Sequence, residues 1–262
     1  MAAGKVMTAI DRYSLTTAPI EQLFDDTSLG NSTGFIWKSA SRYFLVTNWH
    51  VVTCRRFPTG ENLHEHGGRP NKLRVLFNIR QQDFGKQQHD ITIRDDANKP
   101  LWLIHPSRRV DIAVIPLPYD GTEPVFNLHA INAVRDPDLY VGIGMDVFIL
   151  GYPFGAEPPA YPVWKRGSIA SEPDLARMTT DYLLVDTASR PGMSGAPVII
   201  RSWSHHLFAD GSFSVDGRAA SKFIGVYSGR LWTKKSDEAQ LGMVWPGSFI
   251  DEIIAGRTLD TD

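Results

Sequence analysis

The chain has 262 residues, of which 42% are hydrophobic and 21% are charged, and its net charge is −2. These values are typical of a globular protein. They exclude wholesale disorder, nucleic-acid binding through a global basic field and electrostatic attachment to a membrane. Cys54 is the only cysteine, which excludes an intramolecular disulfide. A single thiol, with an N-terminus that lacks the apolar run of a signal peptide, predicts a cytoplasmic location.

Short segments rich in β-branched and aromatic residues dominate the chain, and Gly, Pro, Asn or Asp bound them, as is typical of strands. In chain order the predicted strands are 34–37, 43–47, 73–79, 101–104, 111–117, 146–150, 182–186, 196–200, 223–227 and 242–245. A helix is predicted over about 247–256, where Ser248 could cap the first turn. Weaker helical patterns lie at 20–24 and just after His50.

The order of these elements predicts an all-β protein. Strand follows strand without long helices, which favours a sandwich or barrel over a parallel α/β sheet. The polar stretch 118–138 could join two halves. Three stretches have the composition of long surface loops, namely 55–70, 81–100 and 202–220, and such loops could regulate the protein or bind a partner protein.

Ser194 lies between glycines in the sequence GMSGAP, directly before a predicted strand. A glycine before the serine lets the backbone turn so that N–H groups point at one spot, where they could hold a developing oxyanion. The alternative is an ordinary Gly/Ser-rich β-turn. A serine hydroxyl is a poor nucleophile at neutral pH, so it needs a base and an orienting carboxylate.

Two residues in strand-end positions could supply these groups. His50 ends the apolar segment FLVTNWH, and Asp111 begins the segment DIAVIPL. Taken singly, His50 reads as a structural histidine and Asp111 as a turn or capping residue. In the order His50, Asp111, Ser194, however, the three resemble the trypsin-like, double β-barrel serine peptidases.

The resemblance extends to the sequence around each residue and covers about residues 30–255. LVTNWHVV, VDIAVIPL and RPGMSGAPVI resemble the family's histidine, aspartate and nucleophile motifs. STGFIW resembles its first core strand, VFILGYPFG and KRGSIAS resemble strands of its second barrel, and FIGVYSGR and LGMVW resemble the strands that wall its substrate cleft.

The resemblance implies two six-stranded antiparallel Greek-key β-barrels with the active site between them and a short C-terminal helix. We expect one domain over 1–262, with barrels at about 20–120 and 135–250. It also implies an endopeptidase that needs no cofactor or metal and acts on a protein or peptide substrate. A catalytically silent binding or scaffold module on the same fold is the alternative.

The family pattern implies a role for each site residue. Ser194 is the nucleophile, His50 the general base, and Asp111 the group that orients the histidine. The backbone N–H groups of Gly192 and Ser194 form the oxyanion hole. An aspartate precedes the nucleophile in the digestive branch, but Met193 stands here. With the lone Cys54, this favours the bacterial intracellular or high-temperature-requirement-like members, without the PDZ domain that these often add.

Substrate contacts are predicted for two segments. Ala188 occupies the position where an aspartate would select Arg or Lys, so no such preference is expected. Tyr227, Ser228 and Gly229 are expected to pair with an extended substrate. Arg230 follows, and the hypothesis that it favours an acidic or polar substrate residue competes with a solvent-facing arginine.

Histidine pairs elsewhere do not predict a metal site. His64 and His66 are two residues apart and His205 and His206 are adjacent, whereas a zinc helix places histidines four apart. These four are expected to be solvated loop histidines. An α/β-hydrolase is excluded because Ala196 replaces the glycine of its nucleophile elbow and because the histidine comes first in the chain.

Overall fold

The computed structural model describes residues 10–80, 85–155, 161–188, 190–231 and 240–261. Over these ranges the elements are α1 (Arg12–Thr16), β1 (Thr17–Phe24), β2 (Thr27–Ser39), β3 (Arg42–Thr47), α2 (Trp49–Thr53), β4 (Lys72–Asn78), β5 (Lys86–Thr92), β6 (Leu103–Ile104), β7 (Ala113–Pro116), a 3₁₀ helix (Ile131–Ala133), β8 (Asp146–Gly151), β9 (Val163–Ile169), α3 (Pro173–Thr179), β10 (Leu183–Asp186), β11 (Pro197–Ser202), β12 (His205–Leu207), β13 (Phe213–Val215), β14 (Ala220–Arg230), β15 (Leu241–Pro246), α4 (Ser248–Gly256) and β16 (Thr258–Leu259). The all-β prediction is confirmed.

The N-terminal half forms an antiparallel sheet in the order β16-β6-β7-β3-β2-β1-β4-β5. Alternate residues of each strand point to one interior, where Ile20, Ile36, Leu45, Val75 and Ile115 are buried in one cluster. The sheet therefore curls around a single core. It contains eight strands rather than the six predicted for this barrel, because the short β16 and the polar edge strand β5 both add to it.

The C-terminal half is a closed barrel in the order β10-β15-β14-β11-β8-β9, which confirms a six-stranded second barrel. Val147, Val185, Val198 and Val244 fill its interior. The predicted loop 202–220 contains the β12–β13 hairpin, which pairs outside the barrel. Because strands this short carry few apolar residues, their sequence is hard to distinguish from a loop.

A third apolar cluster lies between the two halves. Phe35 and Val114 reach it from the first half, Val226 and Trp245 reach it from the second, and Ile253 of α4 packs against both. The outward faces of both sheets are thus buried against each other. This contact fixes the position of one half relative to the other, and residues at the boundary can form one site.

The C-terminal helix is confirmed as α4, but its predicted cap is wrong. The N-cap residue is Gly247, one position before the predicted cap, and Ser248 is instead the first helical residue. No side chain makes a capping hydrogen bond at this end of the helix. The weak helical pattern at 20–24 is also wrong, because these residues belong to β1, where pairing with β2 and β4 overrides local preference. None of the helices in the described ranges has the length and apolar character that a transmembrane span needs.

Candidate active site

Strand pairing brings His50 and Asp111 together. β3 leads into α2, which holds His50, and Asp111 lies just before β7, the antiparallel neighbour of β3. His50 Nδ1 lies 2.6 Å from Asp111 Oδ2, and the His50 backbone N–H donates to Asp111 Oδ1 at 2.9 Å. Asp111 is only 1% exposed. Two hydrogen bonds therefore hold the buried carboxylate in one orientation against the histidine ring.

Asp111 is held from two further directions. The Asn48 side chain donates to the Asp111 carbonyl oxygen at 2.7 Å, and the Ser228 hydroxyl donates to Asp111 Oδ2. Sequence reasoning assigned Ser228 only to the substrate cleft and missed this contact. The carboxylate thus has hydrogen bonds from both halves of the molecule, which compensate for its burial.

Ser194 follows a tight turn at 190–193 that the Met193 N–H closes by donating to Arg190 O at 3.3 Å. Pro191 occupies the second position of this turn and Gly192, with φ +93°, occupies the third, which is the signature of a type II turn. A Cβ at Gly192 would lie 2.2 Å from the carbonyl oxygen of Tyr152. Only glycine fits this position without distortion.

Hydrogen bonds from both halves anchor the turn. Gly192 O accepts from Thr33 Oγ1 at 2.7 Å, Ser194 O accepts from the Thr33 N–H at 2.8 Å, and the Gly195 N–H donates to Tyr227 O at 2.9 Å. Among the described residues, the N–H groups of Gly192 and Ser194 have no protein acceptor. These two donors are therefore available to a bound group.

His50 and Ser194 line the same cleft, which has a volume of about 400 Å³. The lining residues are His50, Arg56, Phe57, Leu63, Asp111, Arg190, Pro191, Ser194, Ser228, Gly229, Arg230 and Met243. Over the ranges that the structure describes, no hydrogen bond joins the Ser194 hydroxyl to His50. In unliganded active sites such bonds are often long and shorten only when substrate binds.

The other predicted substrate contacts divide into two groups. Gly229 and Arg230 line the cleft, and a Cβ at Gly229 would lie 3.9 Å from Ser194 Oγ. Tyr227 instead packs in the core of the second barrel, where it is 1% exposed, and its backbone hydrogen-bonds to Gly195 and Ala196. Ala188 is half-buried and lies outside the group of described residues that line the cleft.

Sequence reasoning missed several cleft residues. Arg56, Phe57 and Leu63 come from the predicted loop 55–70, which follows α2 directly and so must lie beside His50. The position of this loop directly after His50 in the sequence could have identified these three as cleft residues. Met243 belongs to the segment LGMVW, which the family resemblance assigned to the cleft wall, and it comes from β15, which β14 places beside the turn.

Met193 points away from the cleft. It is 1% exposed and packs in the core of the second barrel, with its sulfur 2.7 Å from where a Cβ at Gly151 would lie. Its side chain thus contributes to barrel packing. It provides no carboxylate to pair with an amino group.

Cys54 has a structural position behind His50. It caps α2 in a left-handed conformation, with φ +51°, and its N–H donates to His50 O at 3.0 Å. Burial raises the pKa of the Cys54 thiol to about 11. The thiol therefore stays protonated at neutral pH and is a poor nucleophile.

The expectation of four solvated histidines is wrong for His206. His64, His66 and His205 are exposed, but His206 is 2% exposed. Its ring nitrogens lie 3.0 Å from Ser202 Oγ and 3.1 Å from Asp216 Oδ1. The hairpin β12–β13 buries this side chain, and two polar partners satisfy it.

Comparisons with known proteins identify the family of the chain and a similar fold. A family model described as a trypsin-like peptidase domain matches residues 32–204. Among solved structures, a serine endoprotease from Yersinia pestis aligns with a TM-score of 0.50 and 16% identity over 93% of this chain and 63% of that chain. The chain thus spans less than two thirds of the length of that relative.

Two structures of Rv3671c from Mycobacterium tuberculosis, both described as inactive forms, also align. Their TM-scores are 0.46 and 0.45, each at 19% identity over 93% of this chain, and the alignments cover 86% and 89% of those chains. No curated protein matches the chain. At 16% identity, the Yersinia pestis structure shows a similarity of fold.

Proposed function

The chain belongs to the trypsin-like peptidase family, and we propose that it is a serine endopeptidase in which Ser194, His50 and Asp111 form the catalytic triad. The observation that carries this proposal is the 2.6 Å contact between His50 Nδ1 and the buried Asp111 carboxylate, in the cleft that Ser194 also lines. A histidine held in this way beside a serine is the arrangement that activates a hydroxyl for acyl transfer.

In the first step the Ser194 hydroxyl attacks the scissile carbonyl carbon while His50 Nε2 takes its proton. Because Asp111 accepts a hydrogen bond from Nδ1–H, the neutral ring keeps its lone pair on Nε2, which faces the cleft. The carboxylate also stabilises the imidazolium that forms. His50 then gives the proton to the leaving amine, and the C–N bond breaks to leave an acyl-enzyme on Ser194.

The negative charge that develops on the carbonyl oxygen would be stabilised by the N–H groups of Gly192 and Ser194. Among the described residues these two donors have no acceptor, and the positive φ of Gly192 sets the direction of the turn. Removing one such donor typically lowers kcat by about 10²–10³. In the second step water attacks the acyl-enzyme with His50 again as base, and Ser194 is regenerated.

The segment of β14 that contains Ser228 and Gly229 is suited to hold an extended peptide. Its pairing with β15 shifts register between Tyr227 and Arg230, which leaves Ser228 and Gly229 without partners in β15. Backbone groups at this point can pair with a substrate strand. The adjacent Gly229 is next to Ser194 Oγ, so a peptide bound here would present its carbonyl group to the nucleophile.

Hydrolysis of fluorescently labelled casein tests the proposal. Wild type should release peptides, and Ser194→Ala should not, with unchanged folding by circular dichroism. Since a histidine base acts only when it is neutral, kcat/KM should rise with pH to a plateau on the acid side of its profile. A flat profile would argue against His50 as the base. Turnover that survives in Ser194→Ala would reject the triad, and inert wild type would favour a scaffold module.

A further inference from the structure

The described residues that line the cleft carry a strong excess of positive charge. Arg56, Arg190 and Arg230 all line it. Asp111 is the one carboxylate in this lining, and it is 1% exposed and hydrogen-bonded to His50. Over the described residues, the charge that lines the cleft beside Ser194 is therefore cationic, although the net charge of the chain is −2.

Two of these arginines belong to the elements that hold the nucleophile. Arg230 directly follows Gly229, the residue whose Cβ position is 3.9 Å from Ser194 Oγ. Arg190 opens the turn that presents Gly192, with its carbonyl bonded to the Met193 N–H. The wall of the cleft on this side thus consists of the 228–230 strand, the 190–191 turn and Met243.

Partial burial distinguishes Arg56 and Arg230 from ordinary surface charges, whereas Arg190 lines the cleft but is exposed. Arg230 is half-buried and lines the cleft, whereas the competing hypothesis placed it in solvent. A charge in a partly enclosed cleft interacts more strongly than one in open solvent. A guanidinium has five N–H donors, so an arginine that already has one partner can still bind a carboxylate. Arg56, for example, has Nε 3.7 Å from Glu61 Oε2.

We propose that the peptidase selects substrates with an acidic side chain, Asp or Glu, on the residue that supplies the scissile carbonyl. Arg190 and Arg230 would bind this carboxylate, and Arg56 would add to the positive field. The proposal names the substrate class of the site and so rests on the peptidase function proposed above. It predicts discrimination by charge rather than by size, because the arginines are the only charged side chains among the described residues of this wall.

Two internally quenched peptides that differ only in Glu or Gln before the scissile bond test the proposal. Their side chains have the same size, so a difference in kcat/KM reports charge. Wild type should favour the Glu peptide by about 10-fold or more, since a hydrogen bond to a charged group contributes roughly 1.5–3 kcal/mol. The preference should fall as salt is added, because screening weakens the field.

The arginine variants assign the effect to the cleft. Arg230→Gln and Arg190→Gln should each reduce the Glu/Gln ratio about 10-fold, whereas Arg230→Lys should retain part of it. Arg166→Gln is the matched control, because Arg166 pairs with Asp146 and its side chain is 69% exposed on β9. Circular dichroism checks that every variant is folded.

The two proposals fail in different ways. Equal hydrolysis of the Glu and Gln peptides by wild type, or a Glu/Gln ratio unchanged in both Gln variants, overturns the acidic preference and leaves the peptidase function standing. If wild type cleaves neither these peptides nor a degenerate peptide library, both proposals are overturned.

Discussion

The Ser228 hydroxyl, on β14 of the second barrel, forms a hydrogen bond with Asp111 of the proposed triad. It donates to Asp111 Oδ2, the same oxygen that faces His50 Nδ1. Loss of this donor would leave the buried carboxylate with fewer hydrogen bonds and would disfavour its ionised form. The His50 ring would then be held less firmly in the orientation that catalysis needs.

Ser228→Ala should therefore lower kcat by about 10-fold, as expected for the loss of one hydrogen bond to a charged group. The variant should also move the acid limb of the kcat pH profile, whereas a loss of packing alone would leave that limb in place. Steady-state kinetics from pH 5 to 9 measure both. An unchanged kcat and pH profile would show that Ser228 does not position Asp111.

Lys86 is a buried amine that the proposed mechanism does not use. Its Nζ lies 5.1 Å from the ring centroid of Tyr161 and 6.0 Å from that of Tyr152, and no hydrogen-bond partner for it exists among the described residues. Burial lowers the pKa of the amine from 10.5 to about 8. Between these values the folded state binds fewer protons than the unfolded chain, so the free energy of unfolding should rise with pH.

Lys86→Met should stabilise the protein at pH 7 by on the order of 2 kcal/mol, because it removes a buried charge whose cost the tyrosine rings offset only in part. The wild type should gain stability between about pH 8 and 10.5, and the variant should lack this gain. Urea unfolding at several pH values measures both. A destabilised Met variant, or equal pH slopes for both proteins, would contradict this explanation.

At the residue scale, the sequence predicted the residues of the proposed triad because each lies in a characteristic local motif. His50 lies in α2 directly after β3, Asp111 lies just before β7 and Ser194 just before β11, so all three are near strand ends at the boundary between the halves. Arg56 and Arg190 were missed as cleft residues. They come from separate segments, and only the tertiary contacts bring them together.

At the element scale, the turn at 190–193 has a strict steric requirement. Gly192 combines φ +93° with a Cβ position 2.2 Å from Tyr152 O. Gly192→Ala should force this turn to shift and so misdirect the N–H groups of the proposed oxyanion hole. We expect kcat to fall by about 10²–10³ with little change in KM.

Single-turnover kinetics with an ester substrate measure the acylation step in this variant directly. Gly144→Ala is a suitable control, because Gly144 also has a positive φ, of +77°, but nothing lies within 4 Å of its Cβ position. This control should retain wild-type acylation. Wild-type acylation in Gly192→Ala would contradict the role of the turn.

Strands with a clear apolar pattern could be predicted from the sequence, whereas the polar strand β5 could not. All the predicted strands lie within or overlap observed strands, since alternating or continuous apolar residues mark one buried face. β5 was predicted as part of a loop because most of its residues are polar, as an edge strand allows. Its identity as a strand depends on pairing with β4, which no local pattern reveals.

At the scale of the whole molecule, the boundary between the halves both stabilises the fold and positions the site. Ile253 of α4 is completely buried in the cluster that joins the two sheets. Ile253→Ala should lower the free energy of unfolding by about 2–5 kcal/mol through loss of apolar burial and the resulting cavity. Guanidinium denaturation measures this, and a loss of less than 0.5 kcal/mol would contradict the packing.

The closure of each half was only partly predictable from sequence. The second half closes with the six strands expected, but the first contains eight. The number of strands in a sheet depends on which further segments pair with its open edges. Here β16 pairs with β6, and this pairing joins residues more than 150 positions apart in the chain. Local periodicity carries no information about such a contact.

The central claim is that Ser194 is a nucleophile activated by His50. Intact-mass spectrometry after reaction with a fluorophosphonate, followed by peptide mapping, tests it most directly. We expect one adduct per wild-type chain, located on Ser194. Ser194→Ala should form no adduct, and His50→Ala should be labelled much more slowly. Folded wild type that forms no adduct, or an adduct on any residue other than Ser194, would contradict the claim.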